Sequence, residues 1–251
     1  MQRPTITLKE WFQQEPFGLT LSAGFFGFYA HAGLLAALEE EHLHPIEISG
    51  ASAGALVAGG YASGMRSQDF LHHMTNLSRA DFWDPQIGFG FLKGDRFRML
   101  LRSMLPVKSI EETALPLGIT VFDIMARKTR VLREGPLDVA ISASCCVPGM
   151  FHPVWIQGRP FWDGGLVERS GLSGMQTAGR VFYHHLKSRS KARIPSTLPP
   201  RRPQTVTLMQ QRLPRVGPFR LFEGQRAFEQ SYATMKGLLH KPLSTQFLVT
   251  D

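Results

Sequence analysis

The stretch from Ile46 to Gly64, IEISGASAGALVAGGYASG, constrains the fold of this chain more than any other. A short β-branched run leads into a turn of small residues, and an Ala/Leu/Val-rich run follows. Ser52 lies in that turn between Gly50 and Gly54, in the pattern Gly-x-Ser-x-Gly. A strand that turns sharply into a helix strains the backbone at such a serine, and glycine neighbours avoid a clash. The stretch therefore predicts a strand, a nucleophile elbow and a helix.

A second Gly-containing turn comes earlier in the chain. Residues 17–22 form an apolar run typical of a buried strand, the turn 23–27 follows, and residues 28–41 have the pattern of a helix. Residues 1–16 are predicted to be a peripheral lead-in. This succession of strand, turn, helix, strand, elbow and helix indicates an α/β fold with parallel strands in a sheet flanked by helices. Both turns then lie at the carboxyl ends of strands, the edge where such sheets bind ligands.

The rest of the chain continues this alternation. Strands are predicted near 117–124, 130–132, 154–156, 159–162, 180–186 and 205–209, and helices near 67–80, 95–105, 136–144 and 223–239. We expect one domain over residues 1–251, in which 171–251 completes the sheet and adds the final helix. The aromatic segment 81–92 is either buried beneath a cap or forms a partly exposed apolar lip that admits acyl chains.

The charge of the chain points to an anionic partner. The net charge is +8 at pH 7, and residues 180–241 contain 13 Lys and Arg against two Glu. This Pro-interrupted basic segment is either an ordinary solvated surface or a peripheral contact with an anionic membrane. No nucleic-acid-binding module accompanies it, so we expect no nucleic acid partner.

Location and cofactors are predicted from composition. No apolar run approaches the length of a membrane span, and the first 16 residues do not resemble a signal peptide. The two cysteines, Cys145 and Cys146, are neighbours, so they cannot form an ordinary bridge across the fold, and a reducing environment is the default. We expect a cytoplasmic protein that can associate peripherally with a membrane, without a metal site or a cofactor.

Ser52 needs a base to become a nucleophile, and the sequence offers two arrangements. Asp163 follows a predicted strand and precedes two glycines, which allow a tight turn that presents the carboxylate. A positioned carboxylate can act as the base directly. Alternatively, Ser52, Asp163 and either His184 or His185 form a triad, in the chain order found in α/β-hydrolases.

The tetrahedral intermediate of ester hydrolysis also needs hydrogen-bond donors for its oxyanion. The turn after the first strand offers the amides of Ala23, Gly24 and Phe25, and the elbow helix offers the amide of Ala53. Loss of one such donor typically costs about 3 to 4 kcal/mol of transition-state stabilisation. We therefore predict an oxyanion hole from these four amides. Three of them lie in the turn that ends at Gly27, and the fourth lies at the start of the elbow helix.

Several landmarks together resemble the patatin-like phospholipase family. In order, they are the Gly-containing turn after the first strand, His-x-Gly-x-Leu (His31–Leu35), Gly-Ala-Ser-Ala-Gly (Gly50–Gly54), Ala-Ser-x-x-x-Pro-x-x-Phe-x-Pro (Ala143–Pro153) and Asp-Gly-Gly (Asp163, Gly164, Gly165). They cover roughly residues 17–170 in the family's order. The resemblance implies a three-layer α/β/α fold with a central, mainly parallel sheet. It also implies a Ser52–Asp163 dyad without a catalytic histidine, and hydrolysis of lipid acyl esters through an acyl-enzyme.

The first turn departs from the pattern Gly-Gly-Gly-x-Arg/Lys-Gly that the family usually has. Ser22 and Ala23 replace glycines, and Phe26 replaces the basic residue. The expected function is a phospholipase or carboxylester hydrolase. Two alternatives stay open: an esterase of the α/β-hydrolase type with a Ser-Asp-His triad, and a non-catalytic lipid-binding member of the family.

Overall fold

The fold is α/β, with a central sheet flanked by helices, in a computed structural model that describes residues 6–187 and 202–250. The strands are β1 (Phe17–Leu21), β2 (Glu47–Ala51), β3 (Gly90–Leu92), β4 (Leu117–Asp123), β5 (Lys128–Leu132), β6 (Gly149–Phe151), β7 (Val154–Ile156), β8 (Arg159–Asp163), β9 (Arg180–Leu186), β10 (Thr205–Gln210) and β11 (Phe247–Thr250). The helices are α1 (Leu8–Gln14), α2 (Phe28–Glu40), α3 (Ala53–Ala62), α4 (Ser67–Thr75), α5 (Asp95–Met104), α6 (Leu137–Ser144) and α7 (Gly224–Leu239). The α/β class expected from the sequence is confirmed.

The large sheet has the strand order β11-β10-β9-β1-β2-β4-β8-β7, with β5 also paired to β4. The strands from β11 to β4 are parallel, whereas β5 and β8 run antiparallel to β4, and β7 runs antiparallel to β8. The register places Ala51 opposite Thr120, and the next residue of β4, Val121, opposite Asp163. The end of β2 and the end of β8 therefore lie at the same height, although the two strands run in opposite directions.

One face of the sheet carries the main hydrophobic core. Helix α2 is buried from Phe28 to Leu38 and packs against α3, α4 and α7. Gly33 is needed at the contact with α7, because a Cβ atom there would lie 2.2 Å from the carbonyl oxygen of Phe228. Helix α3 packs over β1, β2 and β4, so the elbow helix is held against the strands that carry both turns.

The segment between β8 and β9 covers the opposite face. It contains two 3-10 helices, Gly164–Leu166 and Leu172–Gly174, which contact β4, and the second also contacts β2. The hydroxyls of Thr20 and Ser49 donate to carbonyl oxygens of this segment, each over 2.8 Å. Helices, sheet and this thinner helical segment form the three layers that the sequence predicted.

The two ends of the described chain differ from the prediction. Residues 1–16 were expected to be peripheral, but Leu8, Trp11 and Phe12 of α1 are buried. The Phe12 ring lies 4.7 Å from that of Phe17 and 4.9 Å from that of Phe182, measured between centroids. At the other end, β11 follows the final helix and pairs in parallel with β10, a strand the sequence did not predict.

Membrane spans and metal sites were also searched over residues 6–187 and 202–250. No helix in these ranges combines the length and apolar character that crossing a bilayer requires. The same ranges contain no cluster of three or more His, Cys, Asp or Glu residues that could hold a metal ion.

Candidate active site

Ser52 occupies a sharp elbow between β2 and α3. Its backbone has φ 53° and ψ −121°, a strained conformation for a residue with a side chain. The flanking glycines are required by close backbone contacts. A Cβ atom at Gly50 would lie 2.3 Å from the carbonyl carbon of Gly54, and one at Gly54 would lie 2.1 Å from the Leu21 carbonyl oxygen. The motif therefore packs the elbow directly onto β1.

The Ser52 hydroxyl donates a 2.6 Å hydrogen bond to Asp163 Oδ2. Asp163 is 5% exposed, and its other oxygen, Oδ1, accepts the Gly165 N–H at 2.7 Å. Gly164 has no room for a side chain, since a Cβ atom there would lie 2.0 Å from the carbonyl oxygen of Thr120. One carboxylate oxygen is thus held by the backbone, which directs the other to the Ser52 hydroxyl.

Ser144, which was not predicted as a site residue, holds the elbow through the backbone N–H of Ser52. Its hydroxyl accepts the Ser52 N–H at 2.8 Å and donates to the Thr120 carbonyl at 2.7 Å. Ser144 is fully buried at the end of α6. The only sequence signal was its place in the Ala-Ser-x-x-x-Pro landmark. The Ser52 amide is therefore engaged and is not among the donors left for an oxyanion.

The turn at 23–27 and the first residue of α3 bring three of the four predicted oxyanion donors to the same place. Gly24 and Phe25 line the same cavity as Ser52 and Ala53. Within residues 6–187 and 202–250, the N–H groups of Gly24, Phe25 and Ala53 have no hydrogen-bond acceptor. Amides without an acceptor beside a nucleophile are suited to bind developing negative charge.

Ala23 is a correction to the predicted oxyanion hole. Its N–H donates to the carbonyl oxygen of Arg169 over 2.7 Å, and the residue is buried. An amide that already has a strong acceptor cannot also serve an oxyanion without breaking that bond. Ala23 instead packs against Gly165, where a Cβ atom would lie 2.3 Å from the Ala23 Cβ.

Arg169 holds the turn from a position far away in the sequence. Its Nη2 donates to the carbonyl oxygens of Ala23 at 2.9 Å and Leu186 at 3.2 Å. The Arg169 backbone carbonyl accepts the Ala23 N–H, and the Arg169 side chain donates to the Ala23 carbonyl, so Arg169 binds both backbone polar groups of Ala23. A guanidinium therefore lies at the turn although Phe26 stands where the family has a basic residue.

A buried pair of imidazoles supports the turn from the helix side. His31 Nε2 donates to the Ser22 carbonyl at 2.8 Å, and its Nδ1 lies 2.9 Å from Nδ1 of His184. Burial lowers the pKa of His31 to about 4 and holds the pKa of His184 well below its usual value. Both rings are therefore neutral at pH 7.

His184 and His185 have hydrogen-bond partners other than Ser52, which argues against either one as the catalytic base. The second ring nitrogen of His184, Nε2, lies 2.8 Å from the side-chain oxygen Oε1 of Gln210. His185 Nδ1 bonds the Tyr183 hydroxyl at 2.7 Å. Since the hydrogen-bonding position beside the Ser52 hydroxyl is taken by Asp163, the geometry favours the dyad over a Ser-Asp-His triad.

An apolar cavity opens beside Ser52. Its walls come from the turn at Gly24–Phe26, from α3, α4 and α5, and from residues 145–151, and no charged side chain of the described chain lines it. Phe82 is buried against this cavity, whereas Phe89 is 80% exposed and Phe91 54% exposed. The aromatic segment 81–92 therefore contains one ring buried against the cavity and two largely exposed rings that do not line it.

The two neighbouring cysteines and the buried Asp123 have structural roles. Burial raises the pKa of the Cys146 thiol to about 12 and that of Cys145 well above its usual value, with the Asp163 charge adding to both. These thiols stay protonated and are poor nucleophiles. Asp123 accepts bonds from Arg130 and Arg159, so it anchors the β4–β5 hairpin to β8.

Comparison with known proteins gives results consistent with this site. A family model described as patatin-like phospholipase matches residues 19–173. An uncharacterized NTE family protein of Mycobacterium tuberculosis is 33% identical over 154 residues, which are 60% of this chain and 42% of that protein. A lysophospholipase nte1 of Emericella nidulans is 25% identical over 171 residues, 64% of this chain and 11% of that protein. The chain thus spans less than half the length of these relatives.

The fold has a counterpart among solved structures. The crystal structure of VipD from Legionella pneumophila superposes with a TM-score of 0.65, covering 94% of this chain and 72% of that one. Sequence identity over this superposition is 13%, so the likeness concerns the fold.

Proposed function

This chain belongs to the patatin-like phospholipase family, and on that premise we propose that it is a lipid acyl hydrolase. Ser52 is the proposed nucleophile and Asp163 the proposed general base. One observation carries the proposal: the Ser52 hydroxyl donates to Asp163 Oδ2 over 2.6 Å at the mouth of an apolar cavity. A serine, a base within hydrogen-bond reach and a third group that orients the base are the usual parts of an activated nucleophile.

The proposed reaction has two steps. Asp163 takes the hydroxyl proton while Ser52 Oγ attacks the ester carbonyl, and the Gly24, Phe25 and Ala53 amides stabilise the oxyanion. The tetrahedral intermediate collapses, the protonated carboxyl returns its proton to the leaving alcohol, and an acyl-Ser52 ester remains. Water then attacks this ester with Asp163 again as the base, which releases the fatty acid and restores the hydroxyl.

The lining of the cavity supports an acyl chain as the part of the substrate that enters it. Phe82, Phe97, Leu101 and Met104 are among its walls. Burial of apolar surface contributes about 0.8 kcal/mol for each methylene group. We therefore expect esters with longer acyl chains to have higher kcat/KM than short-chain esters until the cavity is filled.

The test is the hydrolysis of p-nitrophenyl esters by the wild type, Ser52→Ala and Asp163→Asn. Each variant should lose at least about 10³-fold in kcat, since neither half of such a pair works alone. Ser103→Ala and Asp69→Asn change the same residue types on exposed helix surfaces and should keep wild-type rates. A folded wild type without Ser52-dependent turnover would instead support the non-catalytic lipid-binding alternative.

A second measurement separates the dyad from the triad. An organophosphorus reagent that phosphonylates active serines should add one adduct to wild type, located on Ser52 by peptide mass spectrometry. His185→Gln should still form the adduct if Asp163 is the base. Loss of labelling in His185→Gln, with its thermal unfolding unchanged, would favour the triad.

We also propose a peripheral membrane contact, supported by a set of exposed aromatic side chains that we call the aromatic rim. The rim comprises Phe25, Trp83, Phe89, Phe91, Phe219 and Phe222. All but Trp83 are more than half exposed. The Arg79 guanidinium lies 5.0 Å from the Trp83 ring and 5.5 Å from the Phe219 ring, so it joins two segments of the rim. Exposed aromatic groups next to arginines are typical of surfaces that bind the lipid–water interface.

The basic segment predicted at 180–241 lies only partly within the described chain, since residues 188–201 are outside it. Co-flotation with anionic vesicles tests both surfaces. Phe89→Ser/Phe91→Ser should lower binding at least about tenfold. Trp155→Ser removes an equally exposed aromatic residue from edge strand β7 and should bind normally. Equal binding by the two variants would refute the rim, and insensitivity to salt would refute the basic contribution.

Domain organisation and location remain proposals as well. We propose that residues 1–251 form one domain, because β9, β10 and β11 extend the same sheet that carries the elbow. We propose a cytoplasmic location, because Cys145 and Cys146 are both free thiols.

A further inference from the structure

The apolar cavity beside Ser52 is small. Its volume is about 90 Å³, whereas pockets that hold small molecules usually measure about 300 Å³ or more. On the side away from the turn its walls include Leu56, Met74 and Leu101, and each of these is at most 3% exposed. They belong to the close-packed hydrophobic core. Within the described chain, this side of the cavity therefore offers no room for a longer acyl chain.

A second and larger cavity lies on the other side of the turn. Its volume is about 570 Å³, and its walls include the carboxyl ends of β9 and β10 and residues 213–216. Gly24, Phe25 and Phe26 line both cavities, so these three residues form a partition between them. The two spaces together reach the size of an ordinary ligand pocket. The partition therefore determines whether a substrate can use both.

Phe26 supplies the packed side chain of this partition. Gly24 has no side chain and Phe25 is 63% exposed, whereas Phe26 is half-buried. The centroid of the Phe26 ring lies 5.6 Å from that of Phe28 and 6.1 Å from that of Phe82. Both of these neighbours line the apolar cavity. The Phe26 ring is therefore held in place at the boundary of that cavity.

The backbone of Phe26 lies in the left-handed region, with φ 52°. This conformation disfavours a bulky residue, whereas glycine adopts it without a steric cost. Strained backbone of this kind persists where the surrounding structure holds it, and it clusters at ligand clamps and other functional sites. Phe26 also stands where the patatin-like family usually has Arg or Lys, so the family pattern does not account for an aromatic ring here.

We propose that Phe26 is a specificity-determining residue, whose ring closes the apolar cavity at the turn and limits the length of the acyl chain that the site accepts. This proposal rests on the proposed hydrolase function and deepens it. It names the preferred substrates as esters whose acyl chain ends before the partition. Removal of the ring joins the two cavities, so that a longer chain can continue past the turn.

The kinetic test uses p-nitrophenyl esters of increasing acyl chain length in micelles of a neutral detergent. For wild type, kcat/KM should rise with chain length to an optimum and then fall. The quantity compared between proteins is the ratio of kcat/KM for the hexadecanoyl ester to that for the hexanoyl ester. In Phe26→Gly and Phe26→Ala this ratio should rise about tenfold or more, because each newly buried methylene group raises kcat/KM about fourfold.

The two Phe26 variants separate the ring from the backbone. Glycine relaxes the left-handed conformation and alanine does not, so a higher ratio in both identifies the ring. A rise in Phe26→Gly alone, or no rise in either variant, would overturn the proposal. Trp155→Ala removes an exposed ring from β7 that lines neither cavity, and its ratio should equal that of wild type.

A binding measurement tests the partition without turnover. Hexanoate and hexadecanoate are titrated into Ser52→Ala protein with and without the Phe26→Gly change. Loss of the ring should increase the affinity for hexadecanoate about tenfold or more and leave that for hexanoate unchanged. An unchanged affinity for hexadecanoate would overturn the proposal. If the affinity rises but neither ester shows Ser52-dependent hydrolysis, the hydrolase function fails, and Phe26 still limits the length of the bound chain.

Discussion

The elbow at Ser52 and the turn at 23–27 lie next to each other at one edge of the sheet, but they are held in different ways. The elbow depends on its own motif, since a Cβ atom at Gly50 or Gly54 would lie only 2.3 or 2.1 Å from backbone atoms. The turn is held by Arg169 and by the buried imidazole of His31. A nucleophile motif can therefore be recognised locally, whereas a turn that departs from its family pattern depends on partners elsewhere in the chain.

The largest expected effect comes from the elbow. Gly54→Ala should destabilise the protein by about 3 kcal/mol or more and abolish activity, because the new methyl group meets the rigid Leu21 carbonyl. Urea unfolding followed by circular dichroism measures the change. Gly24→Ala in the turn meets only the end of the Leu186 side chain, at 3.0 Å, and should cost less than about 1 kcal/mol.

Gly237→Ala is the control for the glycine comparison. Gly237 lies in α7 with nothing within 4 Å of the added methyl group, so the change should stabilise the protein by about 0.5 to 1 kcal/mol. Equal losses of stability in Gly54→Ala and Gly24→Ala would show that the elbow and the turn tolerate an added methyl group equally. That result would contradict the difference described between them.

The next effect concerns the turn. Arg169→Met removes both bonds to the Ala23 and Leu186 carbonyls and should lower kcat for a neutral p-nitrophenyl ester about 10- to 100-fold. The KM should change less, since the turn acts on the oxyanion, which forms only in the transition state. A fall in stability with kcat unchanged would mean that Arg169 supports the fold but does not position the turn.

Acid should weaken the turn through its buried imidazoles. In the unfolded chain, His31 and His184 have the ordinary pKa of about 6.5 and are protonated below that pH. In the folded protein, burial lowers the pKa of His31 to about 4 and holds the pKa of His184 well below 6.5. Their contribution to stability is therefore complete above pH 6.5 and is lost as the pH falls toward 4. Between pH 7 and pH 5 the His31 imidazole alone should reduce the free energy of unfolding by about 2 kcal/mol, and His184 should add to this loss.

Urea unfolding at several pH values measures this loss, and NMR titration of the imidazole resonances identifies its source. His240→Asn, an exposed change at the end of α7, should keep the wild-type pH dependence. Imidazole resonances of His31 that titrate near pH 6.5 in the folded protein would contradict the explanation.

The smallest effect is expected at Ser144, whose hydroxyl accepts the backbone N–H of Ser52 in the elbow. Ser144→Ala leaves the Ser52 N–H without its acceptor and should cost about 1 to 2 kcal/mol of stability. Ser142→Ala removes a buried hydroxyl from the same helix that has no hydrogen-bond partner within the described chain, so it should be neutral or stabilising. A larger loss in Ser142→Ala than in Ser144→Ala would refute the role given to Ser144.

The parts of the site that sequence could predict are those encoded by short spacing. The elbow, the carboxylate of Asp163 and its two glycines were predicted because each lies in a compact motif with a steric reason for its residues. Family membership and the α/β fold were confirmed.

The parts that sequence could not predict depend on distance in space. Arg169 bonds Ala23 across 146 positions, so nothing in the turn itself indicates that a guanidinium lies beside it. Ala23 was wrongly assigned as an oxyanion donor because only the fold shows that its N–H is occupied. Helix α1 was missed as a core element because Trp11 and Phe12 lack a longer apolar pattern around them, yet β1 and β9 provide their partners.

The hydrogen bond between Ser52 and Asp163 joins positions 111 residues apart, across β2, β4 and β8. The two groups can meet only after these three strands have assembled in register, whereas the backbone hydrogen bonds within helices such as α2 and α7 join residues close in sequence. In a refolding experiment, helical circular dichroism should therefore recover before reactivity with an organophosphorus probe. The rate at which labelling of Ser52 recovers would then report the rate at which the sheet is completed.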